Sequence, residues 1–215
     1  MRATSLEWEA YNQIKDRIVR ADVMPGMLLS ENELAGELGM SRTPVRAAIS
    51  LLEKEGLVES FKGRGVLVKE ISFRQFSQML EVLVSMQLFV LEAAKQRELA
   101  FDLQALHLYL QRQDASRENG DYLGYYNNSL MCIETILSAI GNDYMLQVLE
   151  SYRGKFVCRM VTFRKQFPQL KPQWANVMNG KIYQALLRKD YDGAKAAIEE
   201  NYKYTTEQLM LSGVI

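Results

Sequence analysis

Residues 29–46 read Leu29-Ser30-Glu31-Asn32-Glu33-Leu34-Ala35-Gly36-Glu37-Leu38-Gly39-Met40-Ser41-Arg42-Thr43-Pro44-Val45-Arg46, and this stretch decides the fold of the first part of the chain. Ser30 and Glu33 stand three residues apart, in the pattern of a capping box, which predicts that a helix begins there. Leu34 and Leu38 lie one turn apart on a shared face of that helix. Gly39 is best suited to end it, since glycine adopts the left-handed conformation at little cost.

A second helix is predicted to follow at once. Ser41 is placed to cap it, and Pro44 falls in its first turn, where a missing amide hydrogen loses no intrahelical bond. Apolar residues recur at i, i+3, i+4 and i+7 and should face inward; they are Val45, Ala48, Ile49 and Leu52. This leaves Arg42, Thr43, Arg46 and Ser50 facing outward. The pattern predicts a helix-turn-helix with two arginines one turn apart on its exposed face.

The flanking sequence extends this motif. A first amphipathic helix is predicted over residues 6–22, and Pro25-Gly26 ends its pattern. After Gly56, two β-like runs at residues 57–61 and 66–68 flank Lys62-Gly63-Arg64-Gly65, which predicts a β-hairpin with a basic, glycine-rich tip. Three helices and a hairpin are typical of a winged helix-turn-helix, in which the third helix enters the major groove of DNA and the wing reaches the neighbouring backbone or minor groove. For either arginine alone, a place on a solvated surface is the better explanation. The ordered set of a capped helix, a glycine turn, a second capped helix with Pro44 and a basic wing favours DNA binding.

Composition limits the classes of function. The chain has 215 residues with 48% apolar content, enough for one large or two small folded domains. Lys+Arg and Asp+Glu both number 26, so DNA affinity has to come from a local patch. Two cysteines and one histidine supply neither a disulfide framework nor zinc-ligand spacing. Without a signal-peptide core or an apolar run of roughly 20 residues, we expect a cytoplasmic protein with no membrane partner.

Residues 8–69 resemble the GntR family of bacterial transcription regulators. The resemblance rests on Pro25-Gly26, residues 29–31, Leu34-Ala35, Leu38-Gly39, residues 41–46 and residues 52–58. In that family DNA is contacted from the start of the recognition helix and from the wing. The resemblance therefore implies that Ser41, Arg42, Thr43 and Arg46 contact the major groove, with Lys62, Gly63 and Arg64 at the wing tip. Asn32 stands where some members have an arginine that contacts the DNA backbone.

The rest of the chain is predicted to be helical. Ser72 and Gln75 form another capping box directly after the wing. Apolar periodicity predicts six helices, near residues 73–98, 101–118, 121–140, 143–167, 173–188 and 191–211. The expected fold is mainly α: a winged helix-turn-helix domain over residues 1–70 and an all-helical domain over residues 71–215. The second domain is similar to the FCD-type domain of the FadR branch, in the smaller, VanR-like variant with six helices.

Most members of that branch hold a divalent metal with one Asp and three His, and the metal then binds a carboxylate effector. In an ungapped register those ligand positions fall on Ser129, Ile133, Asn179 and Asn201, and an arginine common on the first helix falls near Leu83. Neutral amides and hydroxyls bind transition metals weakly, and Ile133 offers no donor. Shifting the register by one residue, onto Asn128 and Cys132, does not restore a site. We therefore expect no metal and no other cofactor.

These residues predict a homodimeric regulator, a repressor by the resemblance, that binds a palindromic operator in double-stranded DNA. A small-molecule effector would bind without metal in the helical domain, at Leu83, Ser129, Ile133, Asn179 and Asn201. One alternative is an effector-independent DNA-binding protein whose helical domain only dimerises; another is that the asparagines satisfy one another in a closed interior. An enzyme is not expected, because the sequence offers neither a nucleophile with its base nor a metal.

Overall fold

The computed structural model describes residues 5–170, 172 and 174–211. These residues form nine helices and three strands. In chain order they are α1 (Ser5–Val19), β1 (Leu28–Leu29), α2 (Glu31–Glu37), α3 (Arg42–Lys54), β2 (Val58–Phe61), β3 (Gly65–Val68), α4 (Phe73–Gln96), α5 (Leu103–Glu118), α6 (Tyr122–Ser138), α7 (Asp143–Gln166), α8 (Trp174–Leu187) and α9 (Tyr191–Leu211). Residues 1–4 and 212–215, at the ends of the predicted domains, and residue 173, the first of a predicted helix, lie outside this description.

The chain divides into two compact units. The first contains the residues up to Ile71 together with Val157–Gln166, and the second contains Ser72–Phe156 and the residues from Phe167 onward. Val157–Gln166 is the last part of α7, which the sequence pattern assigned to the helical domain with its neighbours. Phe156–Phe163 is buried at every position, Arg159 and Thr162 included, so its pattern of polar and apolar residues does not indicate which elements cover it.

The first unit has one apolar core built on α1 and α3. Its fully buried members include Ile14, Ile18, Val45 and Leu52. From the last part of α7, Cys158 joins this core, with its sulfur 3.6 Å from the Ile18 carbonyl oxygen. The inward stripe predicted for α3 is therefore confirmed.

A small antiparallel sheet completes the first unit. Its strand order is β1-β3-β2, and Val58 pairs with Val68 while Phe61 pairs with Gly65. This is the predicted hairpin. Strand β1 was not predicted, because two residues are too few to show the alternation by which a strand is recognised in a sequence.

Local signals place most helix ends correctly. The Ser30 hydroxyl accepts from the Glu33 amide at 3.4 Å, and the reciprocal capping box at Ser72 and Gln75 is complete. Gly39 follows α2 with a φ of +62°, the left-handed conformation expected of it. These ends fix the turn between α2 and α3.

The regular elements among the described residues of the second unit are all helices. Helix α4 packs against α6 and α9, α5 packs against α6 and α8, and α8 packs against α9. Large buried side chains such as Phe76, Leu83, Leu106, Tyr125 and Leu130 form its interior. The predicted fold class is confirmed: a winged helix-turn-helix is followed by an all-helical bundle with six predicted helices, α4 to α9.

Helix α4 is long and apolar enough to cross a membrane, judged by length and composition alone, and within the described ranges it is the one such helix. No such segment was expected from the sequence, because Glu81 and Glu92 interrupt its apolar run. Eight of its residues, among them Phe76 and Leu91, are buried within the protein. Burial of this kind is typical of the core helix of a globular domain, which passes the same test.

Candidate nucleic-acid interface and buried polar cluster

The start of α3 presents a polar surface. Ser41, Arg42, Thr43 and Arg46 are all exposed, whereas Pro44 and Val45 between them are buried. Packing of the apolar stripe therefore fixes which way the arginines face. The first amide groups of a helix also lack intrahelical partners and favour an anion, so this end of α3 suits phosphate or an electron-rich base edge.

Ser41 occupies the cap position of α3, but its side chain makes no capping hydrogen bond. The predicted position was right and the predicted side-chain bond was wrong. A capping serine accepts from the second or third amide of the helix. Here the third helical residue is Pro44, which has no amide hydrogen, so one of the two usual donors is missing. The Ser41 hydroxyl is left available to another partner.

Glu31, on the first turn of α2, links the two arginines of α3. Its Oε2 accepts a hydrogen bond from Arg46 Nε at 2.6 Å and a longer one from Arg42 Nη2 at 3.4 Å. The bond from Arg46 is the main reason that the pKa of Glu31 is lowered, so the carboxylate is charged at neutral pH. This contact could not be predicted from the sequence, because Glu31 lies 15 residues from Arg46 and meets it only across the folded turn.

The wing tip is basic and exposed. Lys62, Gly63 and Arg64 connect β2 to β3, and the Arg64 amide donates to the Phe61 carbonyl at 3.0 Å to close the turn. No carboxylate within the described part of the chain forms an ion pair with Lys62 or Arg64. Gly65 has a φ of +115°, and a Cβ there would lie 2.6 Å from the Leu29 carbonyl oxygen, so only glycine fits beside β1.

A buried polar cluster lies in the second unit. Asn179 Nδ2 donates to Gln113 Oε1 at 3.0 Å and lies 3.4 Å from the Ser129 hydroxyl. All three side chains are buried, and Gln113 is fully so. Gln113 Nε2 has no hydrogen-bond partner in the described structure. Ser129 and Asn179, which the sequence register selected, are thus brought together, and Gln113 is a member that it missed.

The other three predicted effector residues contribute differently. Asn201 has a buried side-chain oxygen that accepts no hydrogen bond from the described residues, and it takes no part in the hydrogen bonds of the cluster. Leu83 is 1% exposed and packs among apolar side chains, while Ile133 is half-buried. Neither Leu83 nor Ile133 can bind a polar group with its side chain.

A divalent metal does not fit these residues. The polar groups present are amides and a hydroxyl, which are weak ligands for transition metals. Across the described ranges, no three His, Cys, Asp or Glu side chains are grouped closely enough to hold an ion. These residue types differ from the one Asp and three His with which most members of the branch hold a metal.

The two cysteines and the histidine are packed against other parts of the protein. Burial raises the pKa of Cys132 to about 12 and that of Cys158 to about 11, so neither thiol ionises near neutral pH. Since the thiolate is the form that is oxidised, the geometry does not favour a redox sensor at Cys132. His107 stacks on Tyr183 with ring centroids 5.2 Å apart. These contacts are those of core and packing residues.

Two family models match the sequence. The model for bacterial regulatory proteins of the gntR family matches residues 6–68, and the model for the FCD domain matches residues 78–203. A curated relative, the gluconate operon transcriptional repressor of Bacillus licheniformis, is 24% identical over 198 residues, which cover 88% of this chain and 79% of that protein. The HTH-type transcriptional regulator McbR of Escherichia coli is 27% identical over 121 residues, covering 56% of this chain and 55% of McbR.

Solved structures agree on the fold. A GntR transcriptional regulator from Rhodococcus sp. RHA1 superposes with a TM-score of 0.82 at 18% identity, covering 96% of this chain and 98% of that one. E. coli McbR/YncC superposes with a TM-score of 0.73 at 20% identity, covering 97% and 99%. The matched families and relatives are transcription regulators, which confirms that this chain is not an enzyme. Because the FCD model alone spans more than half of the residues and the gntR model covers the winged helix-turn-helix, the chain belongs to the gntR family of bacterial regulatory proteins with an FCD domain, and it is a DNA-binding transcription regulator.

Proposed function

We propose that the protein is a cytoplasmic, homodimeric repressor that reads a palindromic operator with α3 and the wing. Ser41, Arg42, Thr43 and Arg46 contact base edges and phosphates in the major groove, and Lys62, Gly63 and Arg64 contact the neighbouring backbone. One observation carries this assignment: two exposed arginines lie one turn apart at the start of α3, on the face opposite its buried stripe. Arginine can donate two hydrogen bonds to guanine O6 and N7, which gives base discrimination.

Homodimerisation follows from the same mode of binding, since two copies related by a twofold axis match a palindrome. An exposed apolar face of helix α4 supports homodimerisation. Val82 and Phe89 are exposed two turns apart on one face, and Phe89 is 53% exposed, with Met86 half-buried between them. An apolar stripe of this kind can pack against its own copy about a twofold axis. The domain division proposed is residues 1–70 for DNA and 71–215 for dimerisation and the effector, with the last part of α7 packed on the former.

Repression is supported by the name of the gluconate operon repressor, which aligns with most of this chain. Footprinting on the DNA upstream of the protein's own gene tests the whole proposal. We expect two protected half-sites with twofold symmetry, their centres about one helical turn apart. Protection of a single half-site by a monomer would overturn the dimeric assignment, and uniform protection at all sequences would overturn the reading of bases.

We further propose that an effector binds without metal at the cluster of Ser129, Asn179 and Gln113. Gln113 Nε2 is a buried donor that has no partner among the described residues, and an unpaired buried donor costs free energy that a ligand oxygen would recover. Leu83 and Ile133 would line the apolar part. The Asn201 side-chain oxygen, which likewise has no partner in the described part of the chain, would accept from a ligand donor. Since coupling is reciprocal, effector and operator would change one another's affinity by the same factor.

Thermal shift measurements with gluconate and related small hydroxy acids, in the presence of EDTA, test this site. We expect one compound to raise the melting temperature in a saturable way, by an amount equivalent to about 2.7 kcal/mol at a concentration one hundred times its Kd. Asn179→Ala should abolish that shift. Ser138→Ala, which removes an exposed polar group from the same unit, should keep it. If no compound shifts the wild-type protein, the effector-independent alternative is favoured.

Lys62→Ala should weaken binding to every DNA sequence by a similar factor. A lysine at the wing tip contacts phosphate, which is the same at all sites. Each neutralised phosphate makes the slope of log K against log salt more negative by about 0.9, so the variant should have a shallower slope. The measurement is the affinity for an operator and for a scrambled duplex over a range of salt concentrations. Lys54→Ala is the matched control, because Lys54 is also exposed but lies at the far end of α3. A loss confined to the operator would contradict the phosphate assignment.

A further inference from the structure

The carboxylate of Glu31 contacts both arginines of the proposed reading surface. Its Oε2 accepts a hydrogen bond from Arg46 Nε at 2.6 Å and lies 3.4 Å from Arg42 Nη2. The side chain of Glu31 is 29% exposed, while those of Arg46 and Arg42 are 58% and 53% exposed. The partly buried Glu31 carboxylate thus holds two long, exposed arginine side chains that come from another helix.

The bond does not use the reading end of Arg46. It uses Nε and leaves the two terminal amino groups of the guanidinium, which form the planar fork that recognises guanine. A long arginine side chain at an exposed site otherwise has several rotamers to lose when it binds. Fixing Nε on Glu31 removes much of that freedom before DNA arrives, in the way that supporting contacts preorganise a binding site.

The negative charge also opposes binding that depends only on phosphate. Affinity for the DNA backbone comes from uncompensated Lys and Arg, and a carboxylate shared by two arginines cancels part of their attraction. Fold stability does not explain the contact, because ion pairs between exposed side chains contribute little to it. The arrangement therefore favours directional hydrogen bonds to bases over purely electrostatic contacts with phosphate.

We propose that Glu31 is a specificity-determining positioning residue, whose carboxylate holds Arg46 and Arg42 for base recognition and lowers affinity for DNA of arbitrary sequence. This inference rests on the proposed role of α3 in reading DNA. It makes Glu31 part of the discrimination although it need not touch a base. A purely autoinhibitory acid would differ, since its removal would strengthen binding to all sequences by the same factor.

The test compares the full-length wild type with Glu31→Gln, Glu31→Asp and the control Glu33→Gln. Glu33 is an exposed acid on the same helix that makes no ion pair within the described residues, so its substitution removes the same charge without releasing the arginines. For each protein, the Kd is measured for a duplex selected by the wild type from a random pool and for a scrambled duplex, over a range of salt concentrations. Circular dichroism confirms that each variant is folded.

We expect Glu31→Gln to bind the scrambled duplex more tightly and the selected duplex no more tightly, so that the ratio of the two affinities falls about tenfold, the effect of one good base contact. Glu31→Asp, which keeps the charge but is one methylene shorter, should lose part of the ratio. Glu33→Gln should keep it. An unchanged ratio in Glu31→Gln, or an equal loss in Glu33→Gln, would overturn the inference.

Arg46→Ala, measured beside these variants, separates the two proposals. If Arg46→Ala loses the preference for the selected duplex and Glu31→Gln keeps it, α3 reads DNA and the role given to Glu31 is wrong. If Arg46→Ala keeps the wild-type preference, the assignment of α3 fails, and the inference about Glu31 fails with it.

Discussion

Arg46→Ala is expected to weaken binding to the operator by about 1–3 kcal/mol, with the loss confined to one base pair in each half-site. The reason is geometric. Arg46 lies on the exposed face of α3, and the terminal amino groups of its guanidinium are not used by the bond to Glu31. Alanine cannot donate to a base, so the base pair that Arg46 contacts should become indifferent to substitution while the others keep their preferences.

The measurement is the Kd of wild type and variant for a set of duplexes, each with one base pair of the operator changed. Arg20→Ala is a suitable control, since Arg20 is also an exposed arginine of the first unit whose Nε donates to a carboxylate, that of Asp16 at 2.8 Å. It lies directly after α1, outside the reading helix, and its loss should leave the base preferences intact. Equal binding of wild type and Arg46→Ala to every duplex would contradict the recognition-helix assignment.

Much of the fold could be predicted because the signals are local. Ser72 with Gln75, Gly39 and Gly63 each act within a few residues of their own position, through a hydrogen bond or a positive φ that a short sequence window reveals. The outward position of Arg42 and Arg46 followed from the apolar period of the residues between them. For the same reason the predicted helices differ from α4 to α9 only at their ends.

What could not be predicted depends on contacts between distant residues. Glu31 reaches Arg46 only when α2 and α3 have packed. Cys158 joins the core of the first unit although 140 residues separate it from Ile18. Periodicity reveals which face of a helix is buried, and it is silent on which element covers that face.

The buried polar cluster contains residues that could be predicted and one that was missed. Ser129 and Asn179 were selected by a register taken from the family, and the structure brings their side chains together. Gln113 was missed, although it continues the inward stripe of Leu106 and Leu110 at i+7 and i+3. A glutamine on an apolar stripe is a signal that a buried polar partner exists, because an unpaired amide is costly in an interior. The sequence does not indicate which side chain that partner is.

Leu52→Ala is expected to destabilise the first unit by about 2–5 kcal/mol, the cost of truncating a buried leucine to alanine when the interior cannot close around the gap. Leu52 is 0% exposed and lies on the buried stripe of α3, within the core that also contains Ile14 and Ile18. The loss is a large part of the stability of a small domain, so DNA binding should fail together with folding, for operator and scrambled duplexes alike.

Urea unfolding followed by fluorescence measures this effect. The chain has two tryptophans, Trp8 in α1 of the first unit and Trp174 in α8 of the second, so a Trp174→Phe background leaves Trp8 to report on the first unit. Leu6→Ala is the matched control, because Leu6 lies in the same unit but is 52% exposed and should cost far less. Arg46→Ala in the same background should unfold like wild type. A loss below about 1 kcal/mol for Leu52→Ala would show that this position is not closely packed, and would undermine the argument that packing of α3 sets the direction of its arginines.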